Sequence, residues 1–261
     1  MPDILMRLIL ILCAGLYYGA FALSLMKKSK DTLRKPLVIL HAAAVIVNVG
    51  VIIYNYVINL IENGVGYAPF VSMYQVLIFL AACFFPIYFL VDRAYGCKGY
   101  KPFFLLAPAF VMTGPCFMDI ADVWNFAPAL QSVFFIPHVF CYMLAYVLAV
   151  IAFLVMLMAF LKKENHDKVC YCCVRMLFPF MTSGLFLGSI WADQVWGDFW
   201  AWDVKEAWSL VTWLNYMLCL HLYRREKTKK YARVLLITGL VFVIFTFLFA
   251  NVLNVESKHS Y

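Results

Sequence analysis

Eight apolar stretches separated by short charged breaks constrain this chain more than any other feature, and they run near 4–25, 37–61, 70–91, 102–118, 132–161, 174–192, 207–223 and 233–251. A bilayer span needs about 20 mostly apolar residues. Lipid cannot satisfy an open backbone, so the crossing segments must be helices. The stretch at 102–118 is the most interrupted, by Pro102, Pro108, Gly114 and Pro115. Hydrophobic residues make up 66% of the chain and charged residues 13%, against roughly a quarter charged in an ordinary soluble domain. That is too little polar surface to coat a globule. The expected fold is all-α: a polytopic transmembrane helical bundle of about eight spans, forming one integral membrane domain over 1–261. The first stretch lacks a basic leading region and the basic run follows it, so it reads as a retained helix rather than a secretory leader.

Charge gives the expected orientation. With eight spans the connecting loops alternate between the two sides, and of the 21 Lys and Arg all but Arg7, Lys205 and Lys258 fall on one side. By the positive-inside rule that side is cytoplasmic, which places both termini and the loop at 191–208 outside. The net charge of +7 therefore reports topology, and no nucleic-acid partner is needed to explain it. The basic loops, Arg224 to Lys230 above all, also suit anionic membrane lipid.

The nine cysteines form no disulfide framework. Cys13, Cys83, Cys116, Cys141 and Cys219 lie within or at the ends of apolar spans, where cysteine acts as a small hydrophobe. Cys170, Cys172 and Cys173 fall on the reducing side near His166, in a spacing that matches no common zinc pattern. A Cys-x-x-Cys-His string is absent, so the chain is not itself a cytochrome with covalently attached haem.

Six of the seven tryptophans lie between 191 and 213, with Asp193, Asp198, Asp203 and Glu206 among them. An interfacial belt, which anchors helix ends with one or two aromatics, accounts for Trp191, Trp208 and Trp213. It does not account for Trp196, Phe199, Trp200 and Trp202 in one polar loop. Flat rings there suit a shelf for a large planar ligand, whose carboxylates would meet Trp N–H groups and Lys205. Composition alone leaves the platform and an elaborate belt both open.

The string Gly188-Ser-Ile-Trp191-Ala, then Trp196-Gly-Asp-Phe-Trp200-Ala-Trp202-Asp203-Val-Lys205-Glu206-Ala-Trp208 and on to Trp213-Leu-Asn-Tyr216, resembles the tryptophan-rich WWD signature of haem-handling proteins in cytochrome c maturation. Within that group it is most similar to the CcsA/ResC family of system II. Tyr74-Gln-Val-Leu-Ile-Phe79, Pro128-Ala-Leu-Gln-Ser132 leading to His138, and the closing His259-Ser-Tyr agree with it. The chain departs from the family's pattern at Val204, where proline is usual, at Gln75, where glutamate is frequent, and at Lys258, where a small or apolar residue is usual.

The histidines sort by side. His138 lies at the outer end of the fifth span and His259 just beyond the eighth, both within reach of the tryptophan loop. Two imidazoles suit haem iron in a transport state, but read alone each is more simply a hydrogen-bonded interfacial residue. The resemblance implies that they are the outer pair of axial ligands, with Trp196, Trp200, Trp202, Asp203 and Trp208 forming the haem-binding loop. His41 and His221 lie inside the membrane near the cytoplasmic ends of the second and seventh spans. Buried ionisable groups there are functional candidates. They are candidate ligands of a second haem, and the resemblance around Trp213 to His221 favours His221. His166 reads as a solvated loop residue.

The resemblance implies a chain that carries and presents haem b for attachment to apocytochrome c, as one subunit of a cytochrome c synthase with a CcsB/ResB-type membrane subunit. The expected setting is a bacterial cytoplasmic membrane. No side chain stands out as an acid or base for the addition. The same histidines also fit a b-type electron carrier, which would not need an open tryptophan platform, and the topology alone permits a solute transporter.

Overall fold

The computed structural model describes residues 3–26, 30–63, 70, 72–95, 101–118, 120 and 128–249. They build eight α-helices: α1 (Asp3–Leu25), α2 (Lys30–Asn63), α3 (Met73–Tyr95), α4 (Lys101–Thr113), α5 (Phe135–Lys162), α6 (Asp167–Trp196), α7 (Val204–Tyr223) and α8 (Lys229–Ile244). No strand occurs among the described residues. Six helices are long and apolar enough to cross a membrane, and the chain is an all-α membrane bundle. The two that fall short have separate causes. The α-helix α4 stops at 13 residues where Gly114 and Pro115 open a 3-10 turn, Gly114–Phe117. The helix α7 has 20 residues but carries Lys205, Glu206, Asn215 and His221.

The chain forms two compact units, Met1–Phe126 and Ala127–Tyr261. In the first, α1 turns Met6, Leu10, Cys13, Ala14 and Tyr17 inward, the three-to-four-residue rhythm of one helix face. Ala44 and Val51 of α2, Tyr74, Ile78 and Ala81 of α3, and Ala109 and Met112 of α4 complete that core.

In the second unit α5 lies along α6 as the most extensive helix pair of the chain. Small residues make this possible. An added Cβ on Gly184 would stand 2.9 Å from Tyr142 Cδ2, and one on Gly188 would stand 2.5 Å from the His138 ring. Helices α7 and α8 are joined through polar atoms: Asn215 donates to the Leu235 carbonyl at 2.9 Å and accepts from the Thr238 hydroxyl at 2.9 Å. That pairing lets α7 keep a buried amide without an unmet hydrogen bond. Close to that contact, Arg233 of α8 forks onto Asp167 of α6, Nε to Oδ1 at 2.8 Å and Nη2 to Oδ2 at 2.7 Å.

Candidate functional site

The site starts from the two glycines of α6. Gly184 and Gly188 are one turn apart and face His138 and Tyr142, also one turn apart on α5. Lacking side chains, the glycines admit the two rings into the helix interface. The His138 Nδ1 then reaches the Gly184 carbonyl at 2.8 Å. A carbonyl only accepts, so Nδ1 must carry the hydrogen, and in the neutral ring this leaves the lone pair on Nε2. An axial ligand to iron needs that tautomer, set by a fixed partner on the other nitrogen.

One face of the imidazole is covered by Trp191, with centroids 5.6 Å apart and planes at 29°. Trp191 is itself fixed. It is 2% exposed, donates Nε1 to the Ala129 carbonyl at 2.8 Å, and meets Phe135 and Trp196 at 5.2 and 5.0 Å between centroids. The segment Pro128–Gln131 is therefore a bracket for this ring, and Ser132 adds a bond to Gln194 at 2.9 Å. His138, Trp191 and Trp196 form one continuous aromatic wall.

The loop beyond α6 is shaped by two carboxylates. Gly197 ends the helix at φ +75°, a left-handed turn that glycine enters without steric cost. Asp203 caps α7 by accepting from the Glu206 N–H at 2.8 Å. Glu206 Oε2 in turn accepts from the N–H groups of Ala201 at 2.8 Å and Asp203 at 3.3 Å. Pinning both neighbours of Trp202 to one oxygen curls the backbone there to φ +58°. A side-chain-bearing residue holds such a conformation at about 1–3 kcal/mol, and only when its surroundings enforce it. The result is a ring that is 70% exposed, edge-on to Trp200 at 5.8 Å. The Trp200 Nε1 is buried without a protein acceptor, a donor left for a ligand. Burial pushes the Lys205 ammonium down to about 8, and Asp203 partly offsets this.

The remaining candidates separate. Trp208 packs on Phe245 and Phe242 at 4.3 and 5.6 Å, and Trp213 donates to Thr182 at 2.9 Å, both contacts that hold helices together. His221 is exposed near the end of α7, with Nδ1 at 2.8 Å from the Met217 carbonyl, so its lone pair too sits on Nε2. It is 17 residues from the start of α7, roughly 26 Å along the axis. His41 belongs to the first unit, beside Phe85 at 5.3 Å and Tyr17 at 6.1 Å, in a cleft also lined by Tyr88, Phe104 and Pro108. His259 lies outside the described residues. Of the thiols on the second unit, Cys170 is buried with Sγ 3.7 Å from the Ala152 carbonyl, and His166 pairs with Glu164 at 2.8 Å. The described residues contain no cluster able to hold a metal ion.

Sequence reasoning singled out His138 and the tryptophans and named Gly188 and Ala129 only within motif strings; it missed Gly184, the Ala129 carbonyl as acceptor and the notch made by Gly188. The spacing Gly184-Leu-Phe-Leu-Gly188 was the available signal, since small residues four apart mark close helix contact in membranes.

Comparison with known proteins identifies the family. A family profile described as Cytochrome C assembly protein matches residues 5–256. The cytochrome c biogenesis protein CcsA of Chlamydomonas reinhardtii is 31% identical over 219 residues, 75% of this chain and 61% of that protein. The chain therefore spans less than two thirds of the algal relative. CcsA of Prochlorococcus marinus (strain MIT 9301) is 27% identical over 237 residues, 75% of this chain and 76% of the relative. CcsA of Prochlorococcus marinus (strain NATL1A) is 38% identical over 104 residues, 39% of this chain and 32% of the relative. With a profile match across nearly its whole length, the chain belongs to the cytochrome c assembly protein family.

Proposed function

We propose that this chain holds haem b as cargo in its second unit and presents it for covalent attachment to apocytochrome c. The observation that carries the reading is the His138 imidazole, fixed through Nδ1 to the Gly184 carbonyl and walled by Trp191, with its lone pair on Nε2. His138 and His259 serve as the two axial ligands, and the Trp200 N–H and Lys205 receive the propionates. Trp196 and Trp202 supply stacking area. Asp203 and Glu206 act through the backbone they hold, and like charge keeps them from binding propionate directly. His221 holds haem inside the membrane on its way to the loop, with His41 as a further candidate.

Bound haem supplies the vinyl groups and the apocytochrome supplies the thiols. This chain binds, orients and shields, work that needs no acid or base of its own. It acts as one subunit of a cytochrome c synthase beside a CcsB/ResB-type membrane subunit. The basic loops face the cytoplasm of a bacterial cell and the tryptophan loop faces the periplasm or outside.

The test is a visible spectrum and holocytochrome yield for the chain with its partner subunit. His138→Ala and His259→Ala are expected to give five-coordinate haem and lose product, with partial rescue by imidazole. Trp200→Ala is expected to lower haem occupancy without such rescue. Parent spectra and yields in both histidine variants would overturn the reading and leave the loop as a protein-docking surface.

A further inference from the structure

The first unit contains a set of polar groups that the proposed function does not use. Asn48, Asn55 and Asn59 of α2 are 0%, 3% and 2% exposed, although they lie in the middle and later turns of a membrane-spanning helix. Their spacing of seven and then four residues puts them on one face. That face meets α3, where Tyr74 and Gln75 are each 1% exposed. Intramembrane amides turned into a bundle are costly unless something satisfies them.

They are not satisfied alike. Asn48 is closed on all sides: with Nδ2 turned to the Ile78 carbonyl at 3.1 Å, its Oδ1 accepts from the Tyr17 hydroxyl at 3.3 Å. It ties α1, α2 and α3 together through hydrogen bonds closed within the protein. Asn55 Nδ2, Asn59 Nδ2 and the Tyr74 hydroxyl, by contrast, are buried with no protein partner. The Asn55 side chain and the Tyr74 hydroxyl face each other as polar neighbours, and neither the Asn55 Nδ2 nor the Tyr74 hydroxyl reaches full hydrogen-bond geometry. Asn59 is one turn from the end of α2 at Asn63, about 6 Å along the axis.

We propose that this corner of the first unit binds a short column of water, entering at the C-terminal end of α2, held by Asn59, Asn55 and Tyr74, and stopped by the Asn48 tie. Water is the ligand that fits. It is small, both donates and accepts, and meets two to four polar partners in such places. The alternative is several orphaned polar groups within one turn, which native structures avoid. The column makes this helix wet over its last turns and dry beyond Asn48.

The test has two arms. In the native protein in membranes, brief hydroxyl-radical labelling is expected to oxidise Tyr74 well above background, because radicals form in the adjacent water. Met112, a more reactive side chain that is 0% exposed in the same core, is expected to stay at background. In a cysteine-free background, Asn59→Cys and Asn55→Cys are expected to react with a small charged methanethiosulfonate, Asn59→Cys first. Asn48→Cys and the lipid-facing Ile53→Cys are expected not to react. Background oxidation at Tyr74 would overturn the proposal whatever the variants do. Equal labelling of Asn48→Cys and Asn55→Cys would overturn the stop at Asn48.

Discussion

The His138 imidazole rests on Gly188: a Cβ at that glycine would stand 2.5 Å from both Nδ1 and Cε1. No methyl group fits there, because real contacts of this kind do not close below 3.0 Å. Gly188→Ala is therefore expected to push the ring off the Gly184 carbonyl, an overpacking worth about 1–3 kcal/mol. Haem content should fall about tenfold or more, which equals ~1.4 kcal/mol of affinity. Gly50→Ala, where nothing lies within 4 Å, should leave it unchanged. Haem per protein by pyridine haemochrome assay decides between the two.

Glu206 holds two backbone N–H groups of the loop, from Ala201 and Asp203. Glu206→Ala would leave both unpaired, at about 1–3 kcal/mol for each that stays buried. Asp203→Ala should be milder, about 0.5–2 kcal/mol for a lost cap. Hydrogen exchange at residues 198–206 is expected to rise more in Glu206→Ala than in Asp203→Ala. An unchanged exchange rate in Glu206→Ala would show that the carboxylate does not shape the loop.

Lys205 gives the site a pH signature. Its folded value is about 8 against an ordinary 10.5, because burial disfavours the ammonium. Between these values the unfolded chain binds the extra proton, so stability rises with pH in that window. Below it the folded protein carries a charge at a desolvation cost. Lys205→Met is expected to raise Tm below pH about 8, and its advantage should shrink toward pH 10.5. A gap in Tm that stays constant across that range would mean that the ammonium is fully solvated.

His221 presents its Nε2 at the surface of α7, with Nδ1 bonded only one turn back, to Met217. His221→Ala is expected to lower haem content and holocytochrome yield, with partial recovery in added imidazole. His221→Leu should lower both without recovery, since its side chain fills the space. Unchanged haem in both variants would assign His221 a local role in the helix.

Insertions before and after α7 test orientation. A reporter active only outside the cytoplasm should be active when inserted near Gln194 and silent near Glu226. The reverse pattern would move every histidine to the opposite side.

Much of the helical plan was readable because hydropathy depends only on local composition. The expected stretches at 4–25 and 132–161 fall on α1 and α5, and 37–61 lies inside α2. The extension of α6 back to Asp167 was not readable, since Asp167 looks like a loop residue until Arg233 pairs with it. Within the site, Asp203-Val-Lys-Glu206 has the spacing of a capping box, and the structure forms it. The roles of Trp191 and Trp208 diverged for a reason that no sequence window contains. One meets His138 from α5, the other Phe242 and Phe245 from the far end of the chain. Which ring packs on a histidine and which braces a helix depends on neighbours more than thirty residues away.

The fork between Arg233 and Asp167 carries a last consequence, for the history of the chain rather than its present state. Asp167 is 8% exposed and Arg233 47%, so loss of the arginine strands a carboxylate in a closed place, while loss of both leaves only a gap to fill. Loss of Arg233 alone should be purged and paired changes tolerated. The two positions should therefore drift as a couple among descendants of this sequence, visible as covariation between the starts of α6 and α8.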